Sequence, residues 1–170
     1  MRLVLTPVKI AATILAAPTI LAAVFVAVNP GEFRERRSRA LGDAAWDGEL
    51  WKVQLCLRLG SDVNEICPGK GSPPVIDAAW NGHTQVVRFF LDHGALINKR
   101  DKYGWTALIA AAESGHIDTV RYLLTGGASV NATGWDGSAL RLAREHGHPE
   151  VCELLIQHGA VDRSGFEADR

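Results

Sequence analysis

A recurrence limits what this chain can fold into. Gly82, Gly115 and Gly147 lie about 33 residues apart, and Gly94, Gly127 and Gly159 repeat that interval. Each glycine of the first set precedes a histidine, namely His83, His116 and His148. Each of the second set precedes an alanine, namely Ala95, Ala128 and Ala160. A fainter copy runs from Asp43-Ala44-Ala45-Trp46-Asp47-Gly48 to Gly60-Ser61-Asp62-Val63-Asn64. A unit of this length cannot bury its apolar face alone, so four copies in register predict a stack in which each unit packs on its neighbours.

Within a copy the residues predict two short helices. Thr106 and Ser138 can cap the first, their oxygens accepting from free backbone N–H groups. The small residues Ala78-Ala79 and Ala110-Ala111-Ala112 let neighbouring helices approach closely. Gly82, Gly115 and Gly147 then supply the left-handed backbone that reverses the chain. The second helix carries apolar residues at helical spacing: Val86-Val87-Phe89-Phe90-Leu91, Ile117-Val120-Leu123-Leu124 and Val151-Leu154-Leu155-Ile156. Pro149 falls at the start of the last of these, where its missing N–H costs nothing.

The stretch Asp101–Ala132, D-K-Y-G-W-T-A-L-I-A-A-A-E-S-G-H-I-D-T-V-R-Y-L-L-T-G-G-A-S-V-N-A, resembles the ankyrin repeat, and the resemblance covers about Leu41–Arg163. It departs from the family's T-P-L-H signature, which here reads Pro73-Pro74-Val75-Ile76, Thr106-Ala107-Leu108-Ile109 and Ser138-Ala139-Leu140-Arg141. The hairpin before the second copy is one residue long, and the one before the fourth is one residue short. The resemblance implies an all-α ankyrin-repeat solenoid, with helix–turn–helix repeats joined by short β-hairpin loops. The expected repeats are 40–66, 67–100, 101–132 and 133–163, followed by a polar tail at 164–170.

Ahead of the repeats, after a flank at 1–9, Ile10–Val28 is a run of uncharged, mostly apolar residues. As a helix it would span roughly 28 Å, close to the hydrocarbon thickness of a bilayer. This predicts one transmembrane helix over 10–28; a cleaved signal peptide is the competing reading, with Arg2 and Lys9 as its charged region. Asn29-Pro30-Gly31 is expected to break that helix, leaving 29–39 as a solvated basic linker. Arg34, Arg36, Arg37 and Arg39 outnumber Arg2 and Lys9 on the other flank, which places the repeats in the cytoplasm by the positive-inside rule. Cleavage would instead make a periplasmic or secreted protein.

The basic residues are concentrated at this end. Of 18 Lys/Arg and 19 Asp/Glu, six basic and two acidic residues fall in 1–39, so the remainder carries a net charge of about −5. An acidic repeat domain argues against nucleic acid as a partner. Cys56 and Cys152 fall at apolar helix positions, which predicts buried thiols, whereas Cys67 falls in a loop open to exposure. No C-x-x-C or zinc-ligand spacing is present, and unpaired cysteines point weakly to a reducing compartment.

For function, the repeated histidines are offset along the stack by roughly 10 Å, while a metal needs its ligands within about 2 Å of itself. A structural role is expected for His83, His116 and His148, and for His93 and His158. No nucleophile–base pair, G-x-S-x-G elbow or phosphate-binding loop appears; Pro68-Gly69-Lys70-Gly71-Ser72 lacks the P-loop spacing and reads as a turn. The sequence therefore predicts no enzyme, metal or cofactor. The resemblance implies a concave binding face made from first-helix ends and hairpin tips. Carried over, the first-helix sites are Trp46, Asp47, Trp80, Asn81, Glu113, Ser114, Glu145 and His146, and the hairpin sites are Arg100, Lys102, Tyr103, Trp105, Trp135 and Asp136. Four of the five tryptophans fall on that surface, with Trp51 the exception. Large aromatics with polar tips are what binding hot spots are made of, so the partner is expected to be a protein. The competing reading has Trp46 and Trp80 packed on each other between repeats. If binding is instead their role, Ala at both Trp80 and Trp105 abolishes capture without unfolding the domain.

Overall fold

Helices α1 (Pro30–Trp46) and α2 (Leu50–Arg58) make the first repeat, α3 (Pro74–Trp80) and α4 (Thr84–Asp92) the second, and α5 (Ala107–Glu113) and α6 (Ile117–Thr125) the third. The fourth opens on a hairpin, β1 (Thr133–Gly134) and β2 (Gly137–Ser138), and continues through α7 (Ala139–Glu145) and α8 (Pro149–Gln157). The structure is a computed structural model that describes residues 30–161. First helices pack on first helices (α3 on α5 on α7), and second helices follow the same order (α4 on α6 on α8).

The caps and glycines act as the residue pattern predicts. The Thr106 hydroxyl accepts from the Ile109 N–H at 3.4 Å, and that of Ser138 from the Arg141 N–H at 3.3 Å. Gly82, Gly115 and Gly147 take φ of 71°, 76° and 76°, a region closed to most side-chain-bearing residues. The alanines of the first helices, Ala44, Ala45, Ala78, Ala79 and Ala110 to Ala112, are fully buried. Val87, Phe90, Val120, Leu123, Leu154 and Leu155 from the second helices complete the core, while Ile156 lies exposed.

Two periodic sets of polar contacts tie the repeats together. His83, His116 and His148 each donate from Nε2 to a carbonyl at the end of the preceding first helix, those of Trp46, Trp80 and Glu113, all at 2.9 Å. Asn64, Asn98 and Asn131 each accept, at 2.8–2.9 Å, a backbone N–H of the next repeat, from Leu96, Ser129 and Val161. His93 and His158 instead donate to the Phe89 and Leu154 carbonyls of their own helices.

Three local expectations are corrected. The segment 29–39, expected as a linker, is helical from Pro30, because proline is well suited to the first position of a helix. Ser38 is buried and donates to Glu65, and the Arg37 guanidinium donates to the Leu59 carbonyl, so this end of α1 belongs to the first repeat. The thiols are also reversed: Cys67 is buried, whereas Cys56 and Cys152 are half-buried. Burial, with the Asp77 carboxylate close by, pushes the Cys67 thiol up to about 12. Finally, among the described residues only the fourth repeat has a paired hairpin, Thr133 opposite Ser138 and Gly134 opposite Gly137. In the third the Asp101 carboxylate accepts from the N–H groups of Tyr103 and Trp105, both at 2.8 Å, and holds the turn without strands. The expected transmembrane segment at 10–28 lies outside the described residues. Among those described, no helix is long and apolar enough to cross a membrane.

A Cβ on Gly115 would stand 2.5 Å from Nδ1 of His148, whereas one on Gly147, at the same φ, meets nothing within 4 Å. Gly147→Ala is therefore expected to cost about 1 kcal/mol of unfolding free energy from backbone strain alone. Gly115→Ala carries the same strain plus the displaced imidazole and should cost about 2–3 kcal/mol, measured by urea denaturation.

Candidate protein-binding surface

A hollow of about 410 Å³ opens where the end of α1 and helix α3 meet the loops that precede α3, α5 and α7. Trp46, Trp80, Tyr103, Trp105 and Trp135 line it, with Asp77, Asp101, Asp136 and Lys70 among them. Its volume falls in the ordinary range for a binding cleft, roughly 300–1,000 Å³.

The rings occupy two levels. Trp80 and Trp105 stack with centroids 5.0 Å apart and form the lower one. Trp105 is only 7% exposed. Gly134 makes this possible, since a Cβ there would come within 2.8 Å of the Trp105 ring. The Trp105 indole N–H donates to Asp136 at 3.3 Å, which ties the ring to the hairpin of the next repeat. Above it, Tyr103 and Trp135 meet edge to face at 5.6 Å and are 43% and 79% exposed. Trp46 is exposed on the far side with the Lys70 ammonium 5.1 Å over its ring.

The loops under these rings are pinned to each other. The Trp135 N–H donates to the Tyr103 carbonyl at 3.1 Å. Arg100 donates to the carbonyls of Gly104 and Thr133, at 3.0 and 2.6 Å. Lys102 stands over the Tyr103 ring at 4.8 Å. Arg100 and Lys102 thus brace the loop and do not line the hollow.

The remaining sites drawn from the resemblance lie elsewhere on this face. Asn81 donates to the Asp77 carbonyl, and Asp47 is exposed at the end of α1. Glu113 and His146 approach to 3.6 Å, and burial raises the Glu113 carboxyl while His146 opposes that rise. Ser114 caps α5 through its backbone, and Glu145 pairs with Arg141 on its own helix. These form a second, polar group beside the aromatic one.

Asp77 was not singled out by sequence reasoning, although a signal existed. It stands three residues before Trp80 on the same helix face; its counterpart in the first copy is also an acid, Asp43, whereas the third and fourth copies have Ala110 and Leu142 there. It is 5% exposed, with Oδ1 accepting from the Ser72 hydroxyl at 2.6 Å. Its Oδ2 has no hydrogen-bond partner, and Lys70 stands 3.7 Å away. Burial raises the carboxyl, against the lowering pull of Ser72 and Lys70. Lys70, read from the sequence as part of a bare turn, also donates to the Gly42 carbonyl at 3.0 Å and faces Asp43 at 3.4 Å.

Among the described residues no group of three His, Cys, Asp or Glu side chains converges as a metal site would require. The model of three consecutive ankyrin repeats matches residues 41–134, and that of the single repeat matches residues 137–164; the chain belongs to the ankyrin-repeat family. It is similar to a protein of Escherichia coli (strain K12) named as an ankyrin repeat protein, YahD, at 28% identity over 120 residues. That alignment covers 70% of this chain and 59% of the relative, so the chain spans under two thirds of the relative's length. Ankyrin repeats are protein-interaction modules, and nothing in the described residues points to catalysis.

The two levels of rings separate stability from surface. Trp105→Ala empties a packed site and is expected to cost about 3–5 kcal/mol, whereas Trp135→Ala should stay within about 0.5 kcal/mol of the parent. Chemical denaturation of both variants checks this. Because Trp80 stacks on Trp105, double substitution of the two is expected to destabilise the domain as well as its surface, and the packed pair is Trp80 with Trp105 rather than Trp80 with Trp46.

Proposed function

We propose that this chain is a membrane-tethered recognition module whose aromatic hollow receives another protein. The observation that carries the reading is Trp135 and Tyr103: two large rings held edge to face above a stacked indole pair, with much of their area open. Their loops are already ordered by Arg100 and by the Trp135–Tyr103 backbone contact, so binding loses little conformational entropy. The tether rests on the apolar run 10–28 alone, and the arginines that follow it favour a cytoplasmic repeat domain. Held at a membrane, the domain would meet a membrane-associated partner at raised effective concentration.

Reversible cross-linking of the tagged full chain in its native host, followed by mass spectrometry, tests the site. Joint Trp135→Ala and Tyr103→Ala substitution is expected to cut recovery of the bound protein at least about tenfold, the scale of lost hot-spot contacts. Ile156→Ala, exposed on α8, should not change it. Recovery that survives the double substitution removes this surface as the site. The tether has its own check in membrane fractionation and protease protection of a tag after Arg170. A membrane-bound, shielded tag fits the cytoplasmic reading, an accessible one reverses the topology, and a soluble shortened product means a cleaved signal.

A further inference from the structure

The hollow has a charge preference that its aromatic walls do not explain. Three carboxylates line it (Asp77, Asp101 and Asp136) against one ammonium, Lys70. The Asp77 carboxylate lies under the hollow's wall, and no hydrogen bond reaches its Oδ2. Lys70 offsets that charge only in part, at 3.7 Å, because it is shared with Asp43 and the Gly42 carbonyl. A carboxylate beneath apolar rings is weakly screened, so its field extends into the space above.

The rings favour the same sign. An indole face attracts a cation, and this surface already holds two of its own: Lys70 over Trp46 at 5.1 Å and Lys102 over Tyr103 at 4.8 Å. Trp135, 79% exposed, leaves most of its ring open beside Asp136. Arg100 and Lys102 add positive charge on one flank, outside the lining. What completes this arrangement is a group both planar and cationic, able to lie on an indole while donating to a carboxylate at the rim.

Resting on the recognition reading above, we infer that the hollow takes an arginine side chain of the partner protein, its guanidinium stacked on the open Trp135 ring beside the half-buried Trp80 and directed at Asp136. Arginine is preferred over an aliphatic side chain by the carboxylates, and over lysine by the flat faces.

The test uses the full chain labelled with 5-fluorotryptophan, whose five fluorine resonances are assigned by single Trp→Phe variants. It is titrated with acetyl-Gly-Arg-Gly-amide and with the same peptide carrying citrulline, which keeps the shape and loses the charge. Saturable shifts of Trp135 and Trp80 with the arginine peptide in the millimolar range, about tenfold weaker with citrulline and absent at Trp51, are the expected result. Asp136→Asn should weaken the arginine peptide several-fold; in the free chain it is expected to move the Trp105 resonance, whose indole N–H loses its charged acceptor, and to leave those of Trp46, Trp51 and Trp80 in place. Equal response to citrulline, a parallel shift of Trp51, or no response up to about 10 mM overturns the inference. Such a failure leaves the recognition reading standing if Trp135→Ala with Tyr103→Ala still abolishes capture; loss of that effect refutes the recognition reading independently.

Discussion

The imidazole that each repeat lends to the one before it sets the geometry of the whole stack. His83, His116 and His148 reach back to a carbonyl that closes the preceding first helix, a group left without a partner inside its own helix. The ring occupies the space a Cβ would take at Gly48, Gly82 or Gly115, so glycine is required there for contact as well as for backbone angle. Each such hydrogen bond is worth about 1 kcal/mol, but its spacing matters more than its energy. It fixes the end of one first helix against the start of the next second helix, and so fixes where the intervening loop leaves the stack.

From that constraint follows the position of the aromatic rings. Trp46 and Trp80 are themselves carbonyl partners of His83 and His116, so the backbone that holds the clasp also carries the ring. The loops before α5 and α7 are then brought side by side, and Arg100 and the Trp135 N–H join them. Trp105 becomes a buried strut beneath Trp135, and the exposed rings stand on a support that does not need the partner to form. The same residues thus serve folding at one level and surface at the next.

Much of this was legible in the sequence. The glycine period, the Thr106 and Ser138 caps and the alanine rows gave the helix pairs, because each is a local requirement of backbone or packing. Four of five tryptophans, expected on one face, line the same hollow, since position within a repeat maps directly onto position in a stack. The depth of each ring was not legible: Trp105 is buried by Gly134, a residue of the next repeat, and no local pattern records that contact. Cys67 was misjudged for a similar reason, because Gly42 on α1 leaves room for its sulfur in what reads as an open loop. The helical start at Pro30 was hidden by proline itself, which breaks helices in their interior and begins them at their first turn.

The most direct measurement is photo-cross-linking in living cells from p-benzoylphenylalanine placed at position 135 and, separately, at position 156. Both residues are exposed, one on the rim of the hollow and one on α8. The account predicts a discrete protein adduct from position 135 and none from position 156. An adduct formed from position 156 alone, or equally from both, would place recognition on the helical back of the stack and contradict the role given to the aromatic hollow.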